Sequence, residues 1–145
     1  MKRRELIALI GSATVDTPFR APAQQSAGVR RVGVLIGREE TNPFTIENVE
    51  EFRGALQTLG WTDNQNIQLT YRYASGDPKL ARVFAKELVE MRLDLIVCHT
   101  TFVAAALSQA THTLPVVFVS IADPVANGFV TSMARPGGNM TGFIS

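Results

Sequence analysis

Leu114-Pro115-Val116-Val117-Phe118-Val119-Ser120-Ile121-Ala122-Asp123-Pro124-Val125 passes from a turn into a short apolar run and out again into a polar loop. Val116 to Val119 holds no polar residue and is mostly β-branched, the pattern of a parallel strand covered on both faces. Ser120 and Asp123-Pro124 then put polar groups at the strand's C-terminal end, the edge at which open α/β sheets take up ligands. Asp123 can cap the next turn while Pro124 presets its first φ angle, which predicts a short helix after the loop. Arg135-Pro136-Gly137-Gly138-Asn139 supplies the breakers for a tight turn, and Met140-Thr141-Gly142-Phe143-Ile144 begins a further strand.

Working back toward the N-terminus, strand and helix signals alternate, which argues for βαβ units around a parallel sheet. Arg31 to Ile36 reads as the first strand, closed by Gly37, with Arg38 to Pro43 as a loop. The spacing of Val49, Phe52, Ala55, Leu56 and Leu59 predicts a helix over 46–59 with Gly60 at its end, and Trp61 is expected against the sheet. Asn66 to Tyr73 alternates Ile67, Leu69, Tyr71 and Tyr73 with polar residues, so this strand is expected at an edge. Gly76-Asp77-Pro78 starts a second helix whose apolar stripe is Leu80, Val83, Phe84, Leu88 and Met91. A third strand over 93–98 feeds a helix over 101–111, where Ala104-Ala105-Ala106 permits close packing. With four crossovers, right-handedness favours an α/β, doubly wound parallel sheet of about five strands in the order 2-1-3-4-5.

The chain of 145 residues carries 14 Lys and Arg against 13 Asp and Glu, without a basic cluster after residue 31, so no electrostatic footprint for nucleic acid is present. The N-terminal Met1-Lys2-Arg3-Arg4-Glu5 is basic and precedes an apolar stretch from Leu6 to Val15, with Ala21-Pro22-Ala23 offering small residues for cleavage. That is the order of an export signal over 1–23, followed by a flexible linker over 24–30 and a lobe over 31–145. The apolar stretch is shorter than the roughly 20 residues that span a bilayer. Arg3-Arg4 fits a twin-arginine signal as well as a general secretory one. The single cysteine, Cys98, excludes an intrachain disulfide and a cysteine-cluster metal site, and it is far from the leader, so no lipid anchor is expected. A periplasmic, exported and non-anchored protein follows from these features.

The ends of strands one, three and four converge on one edge, and the candidate site is built from three loops. Gly37 allows close backbone approach and Arg38 can reach a carboxylate bidentately, although an exposed loop arginine is the plainer reading. Thr100 and Thr101 open a helix, where hydroxyls and free backbone N–H groups suit a carboxylate; simple capping of the helix explains them equally. Ser120 and Asp123 can accept from an ammonium or hydroxyl, with turn capping as the alternative for Asp123. Phe44 and Phe102 lie near enough to stack on a planar ligand. His99 and His112 lack metal-ligand spacing, and His112 fits better at the end of a helix, so neither a metal nor a cofactor is expected. Gly37-Arg38-Glu39-Glu40 matches neither the dinucleotide fingerprint nor the phosphate loop.

Several of these stretches together resemble a known family: the ABC-transporter substrate-binding proteins of the type I periplasmic-binding fold, in the group that includes aromatic-amino-acid binders. The resemblance rests on Pro115-Val116-Val117-Phe118, Asp123-Pro124-Val125 and Arg135-Pro136-Gly137-Gly138-Asn139-Met140-Thr141-Gly142. It extends through Phe52-Arg53-Gly54-Ala55-Leu56, Leu59-Gly60-Trp61, Tyr71-Arg72 and Asp94-Leu95-Ile96-Val97. It implies one N-terminal lobe of a two-lobed protein, truncated before a missing C-terminal lobe. It also implies a small-molecule solute, an amino acid or a related compound, delivered to an ABC permease in the inner membrane. His99-Thr100-Thr101-Phe102 is bulkier than the small Gly/Ser/Thr-rich loop common in the family. Two other functions fit the residues less well: an exported sensory ligand-binding subunit, and a cofactor-independent isomerase using Cys98 and His99.

Overall fold

The computed structural model describes residues 28–144, so the expected leader lies outside the described residues, as do the first four residues of the expected linker, whose last residue, Arg30, already belongs to the first strand. Five strands form one parallel sheet: β1 (Arg30–Ile36), β2 (Ile67–Tyr73), β3 (Leu95–His99), β4 (Val116–Val119) and β5 (Met140–Phe143), in the spatial order β2-β1-β3-β4-β5. Three helices connect them: α1 (Pro43–Thr58), α2 (Pro78–Glu90) and α3 (Thr101–Ala110). The expected order 2-1-3-4-5 is the one observed, and β2 stands at an edge as its alternation requires.

Side chains alternate across the sheet, and the two faces are covered unequally. One face presents Leu35, Ile96, Cys98, Val116, Phe118 and Met140 to α2 and α3, and this is where the main core sits. Ala81, Ala85 and Leu88 line the inner side of α2, at helical spacing, while Val103, Ala104, Ala106 and Leu107 do so on α3. The expected stripe on α2 is therefore rotated: Val83 is 60% exposed, because alanines at the contact let α2 and α3 approach each other and the sheet closely.

The other face carries α1 above β1 and β2. Here the expected apolar stripe is only half-buried at Val49, Phe52 and Leu56, while Ala55 is exposed and Leu59 is 75% exposed. The reason is the one-helix cover: among the described residues α1 is the one helix on this face, the other two packing into the core on the opposite side. Trp61, 38% exposed, lies beside β2 as expected, bordering a small hollow with Ile67 and Leu69. It follows a Schellman turn in which Trp61 N–H donates to Leu56 O (2.8 Å) and Gly60, at φ +90°, donates to Gln57 O (3.0 Å).

Local chemistry sets the remaining boundaries. Asn42 caps α1 by accepting from Phe44 N–H (3.0 Å) with Pro43 in the first turn, so the helix starts three residues before the expected position. Asp77 caps α2 from Lys79 N–H (2.8 Å), as its motif predicts. The short helix expected after Pro124 is a single turn instead, closed by Asn127 N–H to Asp123 O (3.1 Å) and Phe129 N–H to Pro124 O (2.9 Å). The Asn127 side chain also donates to the carbonyls of Ala122 and Asp123 (2.9 Å each), and this local competition ends the helical path. Asn139 latches the entry to β5 onto the α3–β4 connection, donating from Nδ2 to Leu114 O (2.8 Å) and Thr111 O (3.4 Å).

Candidate functional site

The parallel register places Tyr73, Ile36, His99, Val119 and Phe143 side by side in one row at the C-terminal edge of the sheet. Beyond that row the backbone turns sharply after β2, β3 and β4. Thr100 has φ +84° and ψ +149°, a conformation nearly reserved for glycine, and Ser120 (φ +53°), Ser75 (φ +51°) and Asp123 (φ +42°) are left-handed. Strain at one edge of a sheet is the pattern expected where a scaffold holds binding groups in place.

Gly37 leaves β1 with its N–H on His99 O (3.3 Å) and its carbonyl accepting from Gly76 N–H (2.7 Å). A β-carbon there would overlap Thr100 Oγ1 and lie 2.9 Å from the Phe102 ring, so glycine is required by close packing of the first and third loops. Arg38 reaches back over the Phe44 ring, with Cζ 5.9 Å from the centroid. Thr100 occupies the N-cap position of α3, yet its hydroxyl makes no capping bond. Thr101 does not cap either: its Oγ1 accepts from Ala122 N–H (3.3 Å), tying the third loop to the fourth. Asp123 does act as a turn cap, accepting from Ala126 N–H at 3.0 Å.

Two hollows flank these loops, and Ser120 borders both. The first, of about 400 Å³, runs between α1 and the sheet and is bordered by Arg38, Thr45, Phe52, Val97, His99 and Ser120. The second, of about 580 Å³, opens at the other side of Ser120 among Thr100, Thr101, Asp123, Pro124 and Met133. Sequence-selected residues are thus divided: Arg38 faces the first hollow, Thr100, Thr101 and Asp123 the second, and Gly37 is the packing point between loops.

Four buried side-chain polar atoms have no hydrogen-bond partner among the described residues, and three lie at this edge: Thr45 Oγ1, His99 Nδ1 and Thr100 Oγ1. The fourth, Tyr71 Oη, is on β2, where burial pushes the phenol up to about 12. Burial is also the larger cause, and the charge of Arg38 the smaller, that lowers His99 from its ordinary value. Thr45 and His99 are the residues that sequence reasoning missed as site lining. Their signal lay in the Asn42-Pro43 cap, which turns Thr45 inward, and in the pairing of His99 with Ile36.

Cys98 and His99 cannot act as a catalytic pair, since consecutive strand residues point to opposite faces. Cys98 is fully buried toward α2 and α3, and burial pushes its thiol up to about 12. His112 lies past the end of α3 and is exposed, not at terminal helix carbonyls. No helix among the described residues is long and apolar enough to cross a membrane.

A doubly wound parallel sheet with strained, partly unsatisfied loops gathered at its C-terminal edge has the arrangement at which open α/β sheets take up small ligands. Residues 41–144 match the family described as ABC transporter substrate binding protein, and the chain belongs to that family. It is 34% identical over 91 residues to a tyrosine-binding protein of Clostridioides difficile strain R20291, covering 63% of this chain and 26% of that protein. Among solved structures it is similar to an ABC domain in complex with L-Trp from Streptococcus pneumoniae, with a TM-score of 0.74 and 29% identity over 81% of this chain and 39% of that one. A conserved domain protein of Vibrio cholerae O1 biovar El Tor gives a TM-score of 0.75 and 30% identity over the same shares. The chain therefore spans about a quarter of the length of the curated relative and about two fifths of these structures.

Proposed function

We propose that this chain is the N-terminal lobe of a periplasmic solute-binding protein. In this reading it captures an amino acid or related small organic solute and presents it to an ABC permease in the inner membrane. The observation that carries it is the gathering of three unpartnered buried polar atoms and the strained residues Thr100 and Ser120 at the sheet's C-terminal edge. Unsatisfied groups at a rigid edge are stabilised when a ligand supplies the missing partners. Arg38, Thr100, Thr101, Ser120 and Asp123 present the donors and acceptors for the charged ends of the solute, and Gly37 keeps the loops close enough to share it. One relative is a tyrosine-binding protein and another is in complex with L-Trp, which supports an amino acid. A second lobe completes the enclosure, because a small-molecule site typically buries roughly 70–90% of its ligand. The leader over 1–23 directs export.

A thermal-shift screen of the full-length protein against amino acids and small organic acids tests this. A ligand-dependent rise in midpoint that Arg38→Ala and Asp123→Ala diminish is the expected result; no rise with any solute removes the reading.

A further inference from the structure

We propose that Thr45 and His99 form a polar subsite within the hollow under α1, selecting a solute whose apolar side chain carries one neutral hydrogen-bonding group. The inference rests on the solute-binding reading above and adds which part of the solute this hollow takes. At about 400 Å³ the hollow lies within the usual range of small-molecule sites, roughly 300–1,000 Å³. Val34, Val97 and Val119 from the sheet and Val49 and Phe52 from α1 make its walls apolar.

Apolar walls discriminate poorly between a hydrocarbon and the same body with an added hydroxyl or N–H. Arg38, Asn48, Glu51 and Ser120 also border the hollow but are exposed, and two less accessible side chains break that indifference. Thr45 is 3% exposed and its Oγ1 has no partner among the described residues; His99 is half-buried and its Nδ1 has none either. The other two unpaired groups, Thr100 Oγ1 and Tyr71 Oη, do not border the hollow. A site that buries hydrogen-bonding groups favours the ligand that satisfies them over the analogue that leaves them bare. Burial and Arg38 keep the imidazole uncharged, so it complements a phenol hydroxyl or an indole N–H better than a second carboxylate. Arg38, at the same hollow, remains for the solute's carboxylate.

Titration calorimetry of the full-length protein with L-tyrosine, L-tryptophan and L-phenylalanine tests the subsite. Phenylalanine is expected to bind at least about tenfold more weakly than the better of the other two. Thr45→Val and His99→Phe should bring that ratio toward one by weakening the hydrogen-bonding ligand, with phenylalanine affinity unchanged or improved, which a folding defect does not produce. Thr45→Val should also raise the unfolding midpoint, since it deletes an unpaired buried hydroxyl while keeping its shape. An unchanged ratio, or an equal loss for all three ligands, overturns the subsite and leaves the solute-binding reading standing. Binding of other small solutes but none of these three has the same effect, and binding of no solute overturns both.

Discussion

The hydroxyl of Thr100 is packed over the α-carbon of Gly37, closely enough that no side chain fits between the β1 and β3 loops. Gly37→Ala must push Thr100 or the Phe102 ring aside. We expect a loss of about 1–3 kcal/mol of stability in urea unfolding, typical of overpacking a close contact. An unchanged midpoint would show that the loops yield freely.

Thr100 itself holds φ +84° and ψ +149°, where a β-branched residue is strained. Thr100→Gly relieves that strain at the cost of greater freedom in the unfolded chain, for a net gain of about 1 kcal/mol. Denaturant unfolding reads the gain directly. If Thr100 also holds solute, affinity falls in the same variant, so stability and binding move in opposite directions.

His99 makes stability depend on pH. Its folded-state pKa lies below the ordinary 6.5, so the unfolded chain binds the proton more readily. The contribution is whole above 6.5 and is lost as pH falls through the depressed folded value. Unfolding midpoints from pH 7.5 down to 5 should therefore drop more steeply in the parent protein than in His99→Gln. Parallel curves would mean that the imidazole titrates as it does in the unfolded chain.

Cys98 should be silent toward a thiol reagent such as Ellman's in the native protein and react fully only after denaturation. Its side chain is fully buried and its thiol remains protonated at neutral pH. Reaction at a rate independent of unfolding would contradict this packing.

Asn139→Ala removes two hydrogen bonds that hold the start of β5 to the α3–β4 connection. Leaving the partly buried carbonyls of Leu114 and Thr111 short of a donor is expected to cost about 1–3 kcal/mol. Amide exchange should accelerate first in β5, because that edge strand depends on the latch.

Sheet order and strand positions were legible because the apolar runs are short, separated by turn residues and bound by the crossover rule. The start of α1 was not, since Asn42-Pro43 serves equally well as a loop or as a cap with a first-turn proline. The face of α2 was read only in part: Phe84, Leu88 and Met91 meet the core as expected, but alanine carries little hydrophobic signal, whereas Ala81 and Ala85 decide the packing through their small size. At the site, Arg38, Thr100, Thr101, Ser120 and Asp123 could be assigned to strand ends from local order alone. Which of them share a hollow depends on register and on loop conformations that join positions over 60 residues apart, such as Gly37 and Thr100. Thr45 escaped notice for the same reason as the start of its helix.

The strand order carries a consequence for how the chain is made. β1 lies between β2 and β3, so the first three strands pair with one another without needing β4. β4 and β5 lie outward of that trio, each beside the strand synthesised just before it. Beyond β3 the spatial order of the strands thus follows the direction of translation, and the outermost strand on that side is the one that Asn139 fastens.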